Sequence, residues 1–337
     1  MKLAKELSGF TGSDKKFREL FRDSPVTDNS HKYYQPHEIR AIRLQLLGLY
    51  DERQQNLPPV IDTRMAKGGV GKTTVAANIA ACMAQFGHKV LLIDGDPQAS
   101  ISTMFGVDIN SRITHIGDIM ERFSKGRPSG IKDATVSIYQ NGMLDLIPAD
   151  ITMANAESWM MPLMGRETVF QRLIENEREF FLGYEAIIID SAPSSSLLTT
   201  SFMVACKTLL AVVTPEPQSL KAMDILESNI LEINSAFQHR DFNLNLHVVV
   251  NKYNQTKRPH QESLEMLASK YGNILNDTVI HDFVGFLRET DLHSDERSGP
   301  VLEREPNSVG ARDIIDVTKS LIKLYGVKLS TPSAKIS

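Results

Sequence analysis

The sequence predicts a doubly wound α/β fold with a mostly parallel sheet, preceded by a small helical N-terminal region. Three observations carry this. From Val60 onward, short β-rich runs alternate with stretches of helical periodicity, the pattern of successive βαβ units. Several of those runs are apolar throughout, as strands covered by helices on both faces are. Residues 1–58, by contrast, are polar, hold no convincing strand and end at the breaker pair Pro58 and Pro59.

Within residues 1–58, Leu3, Leu7 and Phe10, then Phe17, Leu20 and Phe21, recur at helical spacing. Pro36 is placed to open a helix from His37 to about Asp51, with Ile39, Ile42, Leu46, Leu47 and Tyr50 on its apolar face. Such helices either pack on the main domain or a second subunit, or form an element that reads DNA. Strands are expected at Val60 to Met65, Lys89 to Asp94, Met143 to Ile147, Ala186 to Asp190, Thr208 to Thr214 and Leu246 to Asn251. Helices are expected at Thr73 to Phe86, Glu167 to Phe180, Gln218 to Ala236, His260 to Lys270 and Gly310 to Tyr325. The main domain then spans residues 59–326, and residues 327–337 form a Ser-, Pro- and Lys-rich flexible tail.

Bulk composition narrows the class. A chain of 337 residues has room for one large α/β domain and an appendage, since single cores stop growing near roughly 250 to 300 residues. Apolar residues at 42% and charged residues at 23% are ordinary for a globular protein. No apolar run reaches the roughly 18 residues of a membrane span, and the opening MKLAKELSGF lacks a secretory pattern, so a cytoplasmic protein is expected. Cys82 and Cys206 sit in apolar segments and read as core thiols rather than metal ligands. A net charge of -4 gives no whole-molecule attraction for nucleic acid, so any DNA binding must use a local patch.

The segment Ala66 to Thr74, AKGGVGKTT, follows a predicted strand and opens a predicted helix. Gly68, Gly69 and Gly71 let the backbone curl, so that amides from Lys67 through Val70 to Thr74 can point at phosphate oxygens. Lys72 is placed to bridge the β- and γ-phosphates, Thr73 to offer its hydroxyl to Mg²⁺, and Thr74 to approach the α-phosphate. Two further motifs end predicted strands: LLIDGDPQAS, with Asp94, Asp96 and Pro97, and YEAIIIDSAPS, with Asp190. Carboxylates at the ends of parallel strands face the crevice where such sheets bind ligands.

The glycine loop departs from the common phosphate-binding pattern at Ala66 and follows KGGxGK[ST] instead, which resembles the deviant Walker A superfamily of ParA, MinD and the nitrogenase iron protein. The resemblance implies a P-loop ATPase using ATP and Mg²⁺, in which Lys67 reaches across a nucleotide-sandwiched homodimer to the partner's phosphates, acting as an arginine finger does. The charge of Lys67 has no evident partner within its own site. The DxDPQ-like element implies that Asp94 supports the Mg²⁺ shell and that Asp96 positions the attacking water, the alternative for Asp96 being a turn cap. Asp190 resembles a Walker B aspartate that holds Mg²⁺ through water, followed by a mobile switch at Ser191 to Ser195. LIPADITMANAE resembles the family's segment after its next strand. VVVNKYN places Asn251 where relatives contact adenine, the alternative being a strand-end turn asparagine. GPVLEREPNSVGARDIIDVTKSLI resembles the family's C-terminal helix. The likeness thus runs from about Val60 to about Tyr325. Asp62 and Arg64, inside a strand that is usually apolar in this family, are departures without a sequence-level account, and His281 to Arg297 does not align with the family's pattern.

Within the superfamily, the cysteine placement argues against an iron–sulfur reductase, and Tyr325 alone near the end argues against a tyrosine autokinase. The N-terminal extension favours the longer ParA type, whose added region carries dimerising helices and often a helix-turn-helix, which KYYQPHEIRAIRLQLL loosely resembles. Such an ATPase would dimerise on ATP, bind DNA nonspecifically on the nucleoid, and segregate or position plasmid, chromosome or other cargo with a ParB-like or adaptor partner. Basal turnover would be weak, since no arginine finger in cis is evident. The alternative is a MinD-like membrane-associated ATPase using DIIDVTKSLIKLYGVK as an amphipathic anchor. Its apolar residues Ile314, Ile315, Val317, Leu321 and Leu324 equally form the core face of a last helix, with Arg312, Lys319, Lys323, Lys328 and Lys335 as a local basic patch.

Overall fold

The computed structural model describes residues 2–20, 34–51, 54–240, 242–288 and 299–329. Its centre is a seven-stranded sheet of β1 (Val60–Arg64), β2 (Val90–Gly95), β3 (Val136–Tyr139), β4 (Leu144–Ile147), β5 (Ala186–Ser191), β6 (Thr208–Val213) and β7 (Asn245–Val250), in the order β3-β4-β2-β5-β1-β6-β7. Every neighbouring pair is parallel except β3 with β4. The predicted strands are all present, shifted by a residue or two at their ends. Strand β3 is an addition to them: it is a short edge strand with exposed Val136 and Ser137, so it carries no apolar run. The outer edge of β7 is covered by hydrogen bonds between Val248 and the chain at Ile274 and Asn276.

Strands β1, β2 and β5 are buried at every position, which is why their sequences do not alternate. The helix Lys72–Gln85 is buried from Val75 through Ala84, its alanines allowing close approach to the sheet. The last helix, Val309–Tyr325, packs against it. Ser308 caps that helix by accepting from the Ala311 amide, and Gly326 ends it at a φ of 64°. Ile314, Ile315, Val317 and Leu321 are buried, while Leu324 is 48% exposed. No helix of the described residues is long and apolar enough to cross a membrane. Val327 and Leu329 are buried, and the expected tail from residue 330 on lies outside the described residues.

The helix expected from Glu167 to Phe180 is instead three pieces, Arg166–Thr168, Val169–Asn176 and Arg178–Phe181. The break falls at Glu177, at φ -92° and ψ 31°, where the carboxylate accepts from Ser129 Oγ at 2.7 Å. Resetting the helix there lets Phe181 bury fully while Phe180 stacks edge-on against it and against Tyr184.

The N-terminal helices join the same apolar cluster as the sheet through Ala4, Leu7, Phe17, Ile39 and Ile42. Phe17 is fully buried and meets the rings of Phe10 and Tyr34; the expected Phe21 lies outside the described residues. The helix Pro36–Leu47 ends at Gly48, short of Asp51, and its buried side differs from the predicted one. Ile39, Ile42 and Leu44 are buried, whereas Leu46, Leu47 and Tyr50 are exposed. Arg40 sets this orientation. Its guanidinium, buried with the helix face, meets Glu185 at 2.8 Å and donates to the Gly87 carbonyl at 2.7 Å. Arg43 donates to the Phe86 carbonyl, so two cations cap the C-terminal end of the helix that follows the glycine loop. Burial pushes the Glu185 carboxyl up, but hydrogen bonding from His88, 2.8 Å away, and the Arg40 charge outweigh it and hold it below its ordinary value.

Removing one member of a buried ion pair leaves the other uncompensated, so Arg40→Met should cost about 3–5 kcal/mol of unfolding free energy. Urea denaturation measures this. A loss below about 1 kcal/mol would mean that His88 alone satisfies Glu185.

Candidate nucleotide-binding site

The glycine loop leaves β1 and enters the helix Lys72–Gln85, which has no side-chain N-cap, so its first amides are available to an anion. Gly69 and Gly71 have φ values of 75° and 87°, a region that favours glycine. At Gly71 there is also no room, because an added Cβ would fall 2.3 Å from Asn251 Nδ2. A Cβ at Gly68 or Gly69 would meet nothing, so those two positions border open space. Val70 is buried, Lys72 is nearly so, and Thr73 and Thr74 occupy the helix's first turn half-buried. Burial draws the Lys72 ammonium down from its ordinary value, with Asp190 and Asp96 opposing.

Asp94 and Asp190 are direct neighbours across β2 and β5. Their carboxylates are treated differently. Asp94 Oδ2 accepts from the Ser102 amide at 2.9 Å and the Ser102 hydroxyl at 2.7 Å, and Oδ1 accepts from the Asp96 amide at 3.4 Å. Ser102 Oγ in turn accepts from the Ala149 amide, tying this corner to the end of β4. Asp190 Oδ1 faces Thr63 Oγ1 at 3.5 Å, and its buried Oδ2 has no hydrogen-bond partner. Burial, with the Asp94 charge adding, pushes Asp190 up to about 8, while the Thr73 hydroxyl and Lys72 ammonium oppose. Burial also raises Asp94 to about 6 against the Ser102 contacts. An open carboxylate oxygen beside a threonine hydroxyl and a lysine fits a cation held mainly by phosphate and water. The residues present therefore fit a magnesium–nucleotide complex.

Asp96 Oδ1 accepts from the Gln98 amide at 2.9 Å, so this carboxylate does form the turn expected as its alternative role, while staying half-exposed at the crevice. Asn251 is buried, and its Nδ2 donates to the Val70 carbonyl at 2.9 Å, bracing the glycine loop from β7. Lys252, at a φ of 57°, donates from Nζ to the Gly69 carbonyl at 2.8 Å. Sequence reasoning misses Lys252, because a lysine after a strand-end asparagine carries no signal by itself. It also leaves Lys67 without a partner, and the structure corrects this: Lys67 Nζ pairs with Glu216 Oε2 at 2.6 Å, from the loop after β6. Glu216 is held below its ordinary value chiefly by that hydrogen bond. The pair has no local signal because its members meet only once β1 and β6 are neighbours.

Asp62 and Arg64 now have an account. Asp62 Oδ1 accepts from Ser191 Oγ, and Arg64 Nη2 donates to the Ser194 carbonyl at 3.0 Å, so both reach the segment that follows Asp190. Burial pushes Asp62 up to about 6, with Arg64 opposing.

A glycine loop, a buried lysine and strand-end aspartates at the carboxyl edge of a doubly wound sheet define a P-loop nucleotide-binding protein. A family model described as an AAA domain matches residues 59–248. The cell division protein PomZ of Myxococcus xanthus is 26% identical over 316 residues, covering 90% of each chain. The sporulation initiation inhibitor protein Soj of Bacillus subtilis is 28% identical over 262 residues, 76% of this chain and 94% of its own. A McdA variant from Cyanothece, solved with ATP, shares the fold with a TM-score of 0.65 at 17% identity, over 82% of this chain and 100% of that one. The chain belongs to the ParA family of partition ATPases.

Two outcomes follow. Gly71→Ala should abolish nucleotide binding in a filter or calorimetric assay while leaving the circular dichroism spectrum intact. Asp190 binds a proton in the folded chain that the unfolded chain has released between the ordinary value of 3.8 and about 8. Ligand-free stability therefore falls as pH rises through that window. Asp190→Asn should raise the ligand-free Tm above wild type at pH 8.5 and not at pH 4; equal Tm values at pH 8.5 would show that the carboxylate is not strained.

Proposed function

We propose that this chain is an ATP-hydrolysing positioning switch: it binds ATP with Mg²⁺, pairs with a second copy of itself, holds DNA in that state, and is reset by a partner that stimulates hydrolysis. The observation that carries the nucleotide reading is the partnerless, buried Oδ2 of Asp190 beside a glycine loop whose helix has no side-chain cap. Mg²⁺, when bound, neutralises charge on the β- and γ-phosphates. Asp190 and the Thr73 hydroxyl would hold it, with Asp94 fixing the loop that carries Asp96. Lys72 and the amides from Lys67 to Thr74 would bind the phosphates. Asp96 would direct water at the γ-phosphate. Lys67, at the rim of its own loop and paired only with a half-exposed glutamate, would exchange Glu216 for the phosphates of the second copy.

The relatives support the cellular reading: PomZ is named for cell division, and a relative from Caulobacter vibrioides, 29% identical over 215 residues, is named as a chromosome partitioning protein. The membrane alternative loses its element, since the apolar face of Val309–Tyr325 packs in the core. Operator reading by Pro36–Leu47 is not part of the proposal, because Arg40 and Arg43 are engaged by the chain's own carbonyls and Glu185. For nonspecific DNA the expected patch is revised too. Arg312 and Lys319 both pair with Glu6, at 2.9 and 2.8 Å, leaving Lys323 and Lys328 as the exposed cations of that end. Lys335 lies outside the described residues.

Lys72→Ala should abolish ATP binding, Asp96→Ala should bind and fail to hydrolyse, and Lys67→Gln should bind without hydrolysing or dimerising. Light scattering with Mg²⁺ and a slowly hydrolysed ATP analogue reads the mass. An Asp96→Ala variant with wild-type turnover would remove the water-positioning role, and a monomeric wild type under saturating analogue would remove the dimer. DNA binding should require ATP and weaken with salt at a log-log slope of about -0.9 per phosphate contacted. Lys323→Gln with Lys328→Gln should make that slope shallower; salt-resistant pelleting with anionic vesicles, without DNA binding, would overturn the DNA reading.

A further inference from the structure

Strand β1 carries its polar side chains on two faces. Thr63 faces Asp190, whereas Asp62 and Arg64 project from the opposite face, two residues apart, as alternation along a strand requires. Both are buried, Asp62 completely and Arg64 to 3% exposure, among Cys206 and Tyr325. Opposite charges in that position ordinarily join directly, because an unpaired charge in the interior costs several kcal/mol. Here they do not: among the described residues Asp62 and Arg64 form no ion pair. Asp62 Oδ2 and Arg64 Nη1 are both buried without a hydrogen-bond partner. Each directs its one strong contact to the same short segment. Ser191 Oγ donates to Asp62, and the Ser194 carbonyl accepts from Arg64.

That segment begins at Asp190, with its open oxygen, and ends at Ser196, which caps the helix Leu197–Ala205 by accepting from the Thr199 amide. Between these anchors Pro193, Ser194 and Ser195 are exposed. Their side contacts are the Arg64 guanidinium and Thr199 Oγ1 on the Ser194 carbonyl, and Asn229 on Ser195 Oγ. Arg64 is the charged member of this set, and it reaches the segment from beneath, through the sheet. We propose that Asp62 and Arg64 are positioning residues, a latch that holds Ser191–Ser195 behind the nucleotide in the geometry hydrolysis needs, and that when the segment moves the two side chains pair with each other. The two unpartnered atoms are the ones a direct pair would satisfy, so the latched and released arrangements each leave something unmade. Neither is overwhelmingly favoured, which is the requirement for a device that nucleotide contacts can tip.

The inference rests on reading Ser191–Ser195 as the segment that responds to the γ-phosphate, and the test separates the two. Amide hydrogen exchange over residues 191–197 is compared in the full-length protein with Mg-ADP and with Mg and a slowly hydrolysed ATP analogue, alongside steady-state ATPase kinetics and Tm. The wild type should show exchange that differs between the nucleotides. The double variant Asp62→Asn/Arg64→Met removes both buried charges together. It should keep Tm and hold KM within about twofold, lower kcat about tenfold or more, and exchange at the same rate with either nucleotide. A double variant with wild-type kcat and wild-type nucleotide-dependent exchange would overturn the latch while leaving the switch reading in place. Identical exchange in the wild type under both nucleotides would overturn the switch reading and the latch with it. Should the double variant fail to fold, Arg64→Lys keeps the charge and loses the fork. The same drop in kcat at unchanged KM supports the latch, and unchanged kcat with wild-type exchange overturns it.

Discussion

Two carboxylates buried side by side at the ends of adjacent parallel strands are the constraint on which the rest of the site depends. Asp94 and Asp190 face each other across β2 and β5, where neither has access to bulk water and each raises the cost of ionising the other. The fold answers this by dividing them. Asp94 receives an amide and a hydroxyl from Ser102, and becomes part of the scaffold between β2 and β4. Asp190 keeps an oxygen unmet, which only an external cation or a proton can satisfy.

The sheet order makes that division useful. With β1 between β5 and β6, the glycine loop, the Asp190 segment and the loop carrying Glu216 all emerge at one edge of the sheet. Strand β7 adds Asn251 and Lys252, which hold the Val70 and Gly69 carbonyls from the far side. The glycine loop is therefore braced by side chains that come from a strand two places away from its own. Its curvature depends on those braces as well as on its glycines.

How far the sequence can be read follows from where each signal resides. Apolar runs and glycine spacing are local, so the central strands, the phosphate loop and the strand-end aspartates are legible from the order of residues alone. Strand β3 has no apolar run to announce it. The orientation of Pro36–Leu47 defeats the same reasoning because its periodicity favours Leu46 and Tyr50, whereas the docking is decided by Arg40 meeting a glutamate at the foot of β5. Glu216, Ser102 and Lys252 are illegible for a related reason: each acts on a residue that its own neighbours in the chain do not point to. Asp62 and Arg64 are visible as anomalies and become intelligible only with the Ser191 and Ser194 contacts. A local rule broken inside an otherwise consistent strand marks a place where folding alone is not the determinant.

The ion pairs of Glu6 bear on more than the docking of the first helix. Arg312 and Lys319 belong to the last helix, yet their charge is offset by a carboxylate from the opposite end of the chain. The electrostatic potential over that end of the molecule is thus a joint property of both termini. Lifting the helix Lys2–Ser8 away would turn a nearly balanced surface into a cationic one with no change in composition, extending its reach to anions over about 8 Å at physiological ionic strength. A truncated chain and a full-length chain would present different fields even where their folds coincide.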